Sequence, residues 1–388
     1  MTGSSGSRSD RAQVTLLERE IPLQGTVLLE AAGLFPAAVD EVVAAAGGRG
    51  ADDWVVTGCG DSLFAGMCAE VWCAAAAGVR LRAVHAMELS RYLFPTLTER
   101  SVVIAVSHSG TTARVVEAAR AARSRGSYVV ALTSNPDSDL ASIADVWVNN
   151  AVRGERSNTR TASFQAVALF MRMLAERLGD GTPDADGFAK AMAGSIEAYA
   201  GSARAQVDAL PPEVLASHRW YIVGAGLGHA VAHYGTAKLY EAATVPAHAA
   251  ELEQMIHCEI FTVDPHSTVV IVAPDGPSIS RARELAGGLG RLGVHTVAVT
   301  DDAELAGLCT AACMLPAGTV EADLPFLAVL PLQWLALRVA LDRGEDPDLV
   351  ANKWVNRPLI DASQQWDDGD YVIRADGPSD PIYMRSTP

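Results

Sequence analysis

The chain alternates short apolar runs, rich in β-branched residues, with longer alanine-rich stretches of helical periodicity. Runs such as "WVVTGCG" (54–60) and "SVVIAVSHSG" (101–110) end in glycine and polar residues, and a helical stretch follows each of them. Continuous apolar runs of this length are typical of strands that are buried on both faces. Their alternation with helices predicts a parallel sheet with crossover helices, and therefore an α/β fold.

The same pattern occurs twice. "WVVTGCG" corresponds to "WYIVGAG" (220–226), and "SVVIAVSHSG" corresponds to "STVVIVAPDG" (267–276), each offset by 166 residues. Two further strand-like runs, near 130 and 145, have counterparts at nearly the same spacing. Four strands that keep one spacing predict two tandem copies of a doubly wound, mainly parallel sheet flanked by helices.

Domain limits follow from breaks in this pattern. "LPPE" (210–213) is the strongest break signal in the helical region between the copies. We predict a flexible N-terminal tail over 1–19, a first domain over 20–200, a second domain over 201–363 and a C-terminal tail over 364–388. The start of the chain lacks the apolar segment of a signal peptide, so we expect no secretion signal there.

Composition narrows the possible partners and cofactors. The 388 residues carry a formal net charge of -16 without a basic run, which argues against binding to nucleic acid or to anionic membrane surfaces. The apolar runs look too short or too interrupted for a membrane span. Six cysteines without paired zinc-ligand spacing indicate reduced thiols and a cytoplasmic protein. We predict no metal and no organic cofactor, because no histidine and carboxylate cluster has ligand spacing.

Hydroxyl groups concentrate after two strands of the first copy. Ser62 follows the first glycine turn, and Ser107, Ser109, Thr111 and Thr112 surround the second. Between a strand and a helix, such residues can surround a phosphate with hydroxyl and backbone N–H donors. The second copy has "APDG" at the corresponding place, where an aspartate would repel phosphate. The alternative is that these residues only form turns and helix N-caps.

Several motifs together resemble the sugar isomerase (SIS) domain family, in the tandem form found in glucosamine-6-phosphate synthases. "SHSGTT" resembles the Ser-x-Ser-Gly-x-Thr phosphate loop of that family, and "GCGDS" resembles its Cys-Gly-Thr-Ser turn, with Asp61 in place of threonine. "TRTASFQ" (159–165) and "EIPLQ" (20–24) are similar to two further family segments. The resemblance covers about residues 20–360.

The resemblance implies a set of site residues. The substrate-binding residues would be Cys59, Gly60, Ser62, Ser107, His108, Ser109, Thr111 and Thr112. Glu241 would be the base that moves a proton between sugar carbons 1 and 2, and Lys238 would share its helix face as a cation near the developing enediolate. His257 would open the sugar ring, and Lys353 would form an imine with the open-chain sugar or order it. A surface ion pair of Lys238 with Glu241, and a structural role for His257, are the alternatives.

The resemblance also implies a sugar-phosphate substrate and a homodimer with shared active sites, in which His257 reaches the neighbouring subunit. The segment around His257 departs from the family pattern because it lacks the family's glycine–proline turn. The chain has no cysteine after Met1 and no glutaminase domain, so we expect glutamine to be the nitrogen source only if a partner supplies ammonia.

These features favour an enzyme that acts on a hexose or amino-hexose 6-phosphate. The expected reaction is aldose–ketose interchange coupled to amination or deamination at carbon 1 or 2. An amine–sugar-phosphate deglycase and a phosphosugar isomerase of a specialised pathway are alternatives. A non-catalytic phosphosugar sensor is a further alternative, although a sensor would not need Glu241, Lys238 and His257.

Overall fold

The structure, a computed structural model, describes residues 14–150, 152, 154–157, 159–179 and 181–348. Lys353 and the expected C-terminal tail lie outside the described residues. The sequence expectations for these two are therefore not addressed by the structure.

Within the described residues, ten strands form two five-stranded sheets in which all neighbours are parallel. The strands are β1 (Asp53–Gly58), β2 (Leu81–His85), β3 (Ser101–Val106), β4 (Tyr128–Leu132), β5 (Val146–Val148), β6 (Arg219–Gly224), β7 (Ala247–Glu251), β8 (Ser267–Val272), β9 (His295–Thr300) and β10 (Ala311–Met314). The first sheet has the order β2-β1-β3-β4-β5, and the second has the equivalent order β7-β6-β8-β9-β10. The predicted duplication is confirmed.

Helices connect the strands and cover the sheets. They are α1 (Leu16–Glu20), α2 (Gln24–Ala32), α3 (Phe35–Arg49), α4 (Asp61–Ala77), α5 (Ala86–Glu88), α6 (Ala113–Ser124), α7 (Asp139–Ile143), α8 (Ala162–Leu178), α9 (Ala185–Asp208), α10 (Pro212–Leu215), α11 (Leu227–Lys238), α12 (Leu252–His257), α13 (Ile279–Arg291), α14 (Ala303–Leu308), α15 (Leu324–Leu327) and α16 (Val329–Asp342). Short 3-10 turns and two π-helical turns, at Leu89–Leu93 and Leu239–Ala243, link some of them.

Both faces of each sheet are apolar, which gives the molecule three layers of core. In β1, Val56 faces a large core shared by both halves, whereas its neighbour Val55 faces an outer core beneath α6. In β8, Val270 and Val269 alternate in the same way between the shared core and an outer core beneath α13. The shared core contains α4, α8, α11 and α16, so burial of these helices holds the two sheets together.

The helices α8 and α9 pack against elements of both halves, because each of them contacts α2 and α15. A domain boundary at 200/201 therefore falls inside the continuous helix α9, and the sequence prediction places it too early. The break predicted at "LPPE" is present, because α9 ends at Asp208 and α10 begins at Pro212. Alanine-rich helix faces gave no sign of this boundary because they pack equally well inside one domain or between two.

The expected N-terminal tail is also corrected. The predicted tail over 1–19 overlaps α1, in which Leu17 is completely buried. The stretch 238–259 contains a π-helical turn, the edge strand β7 and α12. The strand "AHAAE" has little apolar character of its own, and its pairing with β6 makes it a strand.

The run Glu321–Asp342 has the length and apolar composition of a membrane-crossing helix, contrary to the sequence expectation. However, 89% of its most apolar window is buried inside the protein. Its side chains, among them Phe326 and Leu332, lie in the shared core. Packing between the two sheets accounts for its composition.

Candidate functional site

A cavity of about 370 Å³ lies where β1 and β3 end. The helices that follow these two strands pack on opposite faces of the sheet, which opens a crevice at this edge. The lining residues are Cys59, Gly60, Asp61, Ser62, Val106, Ser107, His108, Ser109, Thr112, Val115, Asn150, Arg160, Ser163, Phe164, Val167 and Glu241. Seven of the eight substrate-binding residues predicted from the sequence are among them.

The glycine turn after β1 brings the backbone of α4 to the cavity. Gly60 has φ 56° and ψ -131°, a conformation that residues with a side chain rarely adopt. A methyl group on Gly58 would lie 2.7 Å from the Cβ of Ser62, so this turn also needs glycine for space. The turn leaves the free N–H groups of the first turn of α4 at the cavity, where they favour an anion.

The hydroxyl loop, residues 107–112, joins β3 to α6. Its hydroxyls pair with one another: Ser107 Oγ lies 2.9 Å from Thr112 Oγ1, and Ser109 Oγ lies 2.9 Å from Thr111 Oγ1. The carbonyl of His108 accepts hydrogen bonds from Thr133 and Ser134, which anchor the loop. Thr111 does not line the cavity, although it contacts Ser109. Hydroxyls that pair with one another can rotate toward an anion at little cost.

The carboxylates of Asp61 and Glu241 share the ammonium group of Lys238. Lys238 is completely buried, and its Nζ donates to Asp61 Oδ2 at 2.8 Å, to Glu241 Oε2 at 2.6 Å and to the carbonyl of Arg160 at 3.0 Å. These three acceptors use all three of its hydrogens. The alternative of a surface pair is therefore wrong. The ammonium is also not free to contact a sugar, so Lys238 positions Glu241 instead.

A series of buried hydrogen bonds holds the carbonyl of Arg160, which is one of the three acceptors of Lys238. Gln333 Nε2 donates to Tyr234 OH at 2.7 Å, and Tyr234 OH donates to the carbonyl of Arg160 at 3.1 Å. Gln24, from the "EIPLQ" segment, donates to Gln333 Oε1 at 2.7 Å. A π-helical turn, a feature often found at functional sites, begins directly after Lys238 and contains Glu241.

Burial and neighbouring charge change the pKa of the groups at the cavity. Desolvation raises the pKa of Glu241 to about 7, with Lys238 opposing the rise and Asp61 adding to it. Desolvation also raises the pKa of Asp61, again against the effect of Lys238. Burial alone would lower the pKa of Lys238, but the two carboxylates raise it above its ordinary value. Lys238 therefore stays charged, and Glu241 can exchange a proton near neutral pH.

Arg160 is the cation that lines the cavity, and the sequence analysis missed it. Its guanidinium lies 3.6 Å from Glu155, and 37% of its side chain is exposed. Glu155 is itself held by the backbone N–H groups of Thr161 and Ala162 at the start of α8. Together with burial, Arg160 lowers the pKa of His108, which favours a neutral imidazole in the cavity. The available sequence signal was the position of Arg160 in the "TRTASFQ" segment, just before the N-cap residue Thr161 of α8.

His257 lies on the surface, outside this cavity. Its side chain is 67% exposed, and its Nε2 lies 3.0 Å from Glu253 Oε1. Glu251, which caps α12, and Glu253 do not line the cavity either. The predicted role of His257 in a neighbouring subunit remains a prediction.

The corresponding edge of the second sheet, where residues 273–280 are all described, has no hydroxyl cluster like that of residues 107–112. Gly226 repeats the conformation of Gly60, with φ 54° and ψ -126°. A methyl group on Gly226 would lie 2.7 Å from Glu321 Oε1, and one on Gly276 would lie 3.5 Å from Glu321 Oε2. The carboxylate of Glu321 thus lies between the two glycine turns, at the place that corresponds to the first cavity.

The sequence model of the SIS domain matches residues 49–177 and 214–343, which is more than half of the chain. The chain belongs to the SIS domain family. Each matched segment contains one of the two sheets, with all five of its strands. The described fold of two parallel α/β units agrees with a tandem SIS protein.

Comparison with known proteins gives the same result. A glutamine–fructose-6-phosphate aminotransferase (isomerizing) from Gloeobacter violaceus is 28% identical over 310 residues, which cover 76% of this chain and 50% of that protein. The glucosamine-6-phosphate deaminase structure from Thermotoga maritima has a TM-score of 0.72, with 19% identity, and the match covers 87% of this chain and 97% of that one. The C-terminal domain of glucosamine-fructose-6-phosphate aminotransferase from Francisella tularensis has a TM-score of 0.75 with 19% identity. That match covers 88% of this chain and 99% of the other one.

These comparisons show a phosphosugar isomerase and aminotransferase-like family. The structural matches, at this low identity, show the fold alone. The chain spans about half the length of the curated relatives it matches.

Proposed function

We propose that this chain interconverts aldose and ketose forms of a hexose or amino-hexose 6-phosphate, with gain or loss of an amine at carbon 1 or 2. The position of Glu241 carries the proposal. A carboxylate whose pKa is raised toward neutrality faces the same cavity as the hydroxyl loop. A base near neutrality and an anion site within one cavity are the two elements that a phosphosugar isomerase needs.

The hydroxyl loop would hold the phosphate. Ser107, Ser109 and Thr112 offer hydroxyl donors, and α6 begins directly after the loop with its unpaired N–H groups. The neutral imidazole of His108 accepts from Asn150 through Nδ1, at 3.2 Å, which leaves Nε2–H as a further donor. These groups fix one end of the sugar, so its carbons 1 and 2 extend toward Glu241.

Glu241 would then move one proton. In deamination of an open-chain 2-amino aldose phosphate, the carboxylate removes the proton from carbon 2 and an enaminol forms. The aldehyde oxygen takes up a proton as the enaminol forms. The Glu241 carboxyl group, whose proton can exchange with solvent, then protonates carbon 1 while the nitrogen loses one proton, which gives the 2-imine of the ketose. Water hydrolyses this imine, so that one water is consumed and one ammonia is released. The reverse sequence is amination of the ketose phosphate.

Arg160, rather than Lys238, is placed to stabilise the negative charge that develops on the sugar. Its guanidinium lines the cavity, whereas the Lys238 ammonium already has three acceptors. Lys238 keeps the Glu241 carboxylate oriented and opposes its protonation. This division of roles follows from which cation the substrate can contact.

The test is to incubate the protein in D₂O with a panel of hexose and hexosamine 6-phosphates, with and without ammonium, and to follow products by mass. We expect product with at least one of them, carrying one deuterium at carbon 1 or 2. Absence of turnover and of exchange with every compound, together with tight phosphosugar binding, would instead support the sensor alternative.

A deglycase is a second candidate, and Arg160 is the observation that favours it. An adduct of an amino acid with a sugar phosphate carries a carboxylate beyond the reacting carbons, and a guanidinium binds carboxylates well. Release of free amino acid from such an adduct, lost in Arg160→Gln, would support this function. Equal rates for adducts with and without a carboxylate would exclude the role of Arg160 in recognition.

A further inference from the structure

Asp61 is a charged residue of the cavity to which the proposed reaction gives no role. It is the first residue of α4, directly after the glycine turn, and 17% of its side chain is exposed. A carboxylate therefore lies next to the base, in the cavity where the substrate is expected.

The chain neutralises this carboxylate only in part. Asp61 Oδ2 accepts from Lys238, but Oδ1 is buried and has no hydrogen-bond partner among the described residues. The same ammonium also serves Glu241, so two carboxylates compete for one positive charge. A buried carboxylate with an unpaired oxygen is costly, and a cation beside it reduces that cost.

The balance of charges around the cavity also favours a ligand that carries a positive charge. Among the described residues, Asp61, Glu241 and Glu155 are three carboxylates at or beside the cavity, whereas Lys238 and Arg160 are two cations. A phosphate brings about two further negative charges near neutral pH. A neutral sugar phosphate would add only negative charge to this site. A phosphosugar with an ammonium group would place its phosphate at the hydroxyl loop and its positive charge near the carboxylates.

We propose that Asp61 selects phosphosugars that carry a protonated amine next to the reacting carbons, and discriminates against their neutral counterparts. The inference deepens the proposed function and rests on it, because it assumes that phosphosugars bind in this cavity. Asp61 would act as a specificity residue through charge, both by attracting the ammonium and by repelling electron-rich hydroxyl oxygens at the same place.

The experiment uses two open-chain probes that cannot isomerise: 2-amino-2-deoxyglucitol 6-phosphate and glucitol 6-phosphate. Their dissociation constants are measured by calorimetry at neutral pH for the wild-type protein, Asp61→Asn and Asp61→Thr. We expect the wild type to prefer the amine by about 10-fold, which is the size of one partly screened charge contact. Both variants should bind the amine more weakly and the neutral probe more tightly, which brings the ratio close to one.

The opposite change for the two probes separates selectivity from structural damage, because a damaged cavity loses affinity for both. Ser109→Ala is the matched control, which should weaken both probes equally and keep their ratio. If both probes bind but the wild-type ratio is one, or the ratio is unchanged in both variants, the role of Asp61 is wrong while the proposed function stands. If neither probe binds to the wild type, the proposed function fails, and the inference fails with it.

Discussion

The two crevices of this molecule have the same backbone and different chemistry. Gly60 and Gly226 adopt nearly identical conformations after the first strand of each sheet, and each opens a helix. Hydroxyl groups line the first crevice, whereas the carboxylate of Glu321 lies over the glycine turns of the second. The duplicated fold therefore provides two possible anion sites, and the side chains of the described residues favour a phosphate in the first one.

One pair of residues illustrates how this difference arises. Glu155 and Glu321 are separated by the repeat offset of 166 residues. Glu155 is turned toward the start of α8, where it accepts from Thr161 N at 2.6 Å and Ala162 N at 2.8 Å. Glu321 instead lies beside Gly226 and Gly276. The same side chain caps a helix in one half and occupies the crevice in the other.

The titratable groups are also unequally distributed. At the repeat offset from Lys238 and Glu241, the first half has Trp72 and Ala75. Trp72 stacks on Phe326 and donates to the carbonyl of Ala322, next to Glu321. The second half thus supplies Glu241 to the crevice of the first, and the first half supplies an aromatic contact in return. This unequal distribution supports the proposal of one active site for each chain.

Replacement of the base should have the largest effect. Glu241→Gln keeps the shape but removes the basic oxygen, so we expect solvent-proton exchange at carbon 1 or 2 to fall by about 10³-fold or more, with phosphosugar binding nearly intact. Deuterium incorporation and calorimetry measure the two quantities. Glu304→Gln, which removes an exposed carboxylate from the second half, is the control and should change neither. Exchange at the wild-type rate in Glu241→Gln would show that the base lies elsewhere.

Mixing two inactive variants tests whether sites are shared between subunits. If His257 serves the neighbouring subunit, an equal mixture of Glu241→Gln and His257→Ala protomers forms some dimers with one complete site. Random pairing restores about a quarter of the wild-type activity. Each variant alone, treated identically, is the control. A mixture with no more activity than its components, or a fully active monomer, would rule out shared sites.

Loss of one loop hydroxyl should have an intermediate effect. Ser109→Ala removes a donor to the phosphate, and we expect binding to weaken by about 10-fold with little change in kcat, because the contact exists before the transition state. Ser278→Ala removes a serine from the corresponding loop of the second half and should leave binding unchanged. A comparable loss in both variants would contradict the difference between the crevices.

The pH dependence should show a smaller, graded effect. The base acts in its ionised form, and desolvation raises the pKa of Glu241 to about 7, so kcat should fall as the pH decreases through that value. Asp61→Asn removes a negative charge that raises this pKa, and the acidic limb should move to lower pH. An acidic limb that stays in place in this variant would show that another group controls it.

Most of the architecture could be predicted from the sequence. Buried strands such as β3 and β8 are continuous apolar runs, so both the α/β fold and the repeat offset were visible. The edge strands β2 and β7 were missed because their sequences are weakly apolar, and pairing with a central strand determines their conformation.

The candidate site could be predicted only where a motif carries it. The glycine turn and the hydroxyl loop are local, and the structure brings them together as expected. The burial of Lys238 was not predictable, because a lysine and a glutamate three residues apart look the same on a surface helix. Its environment is created by Asp61 and by the carbonyl of Arg160, which are distant in sequence.

The central claim is that each chain binds one sugar phosphate, in the first crevice, with its reacting carbons at Glu241. A crystal structure of the protein with glucitol 6-phosphate tests it most directly. The account predicts one ligand for each chain, with the phosphate at residues 107–112 and carbons 1 and 2 within contact of the Glu241 carboxylate. A phosphate at residues 274–277 beside Glu321, or equal occupancy of both crevices, would contradict it.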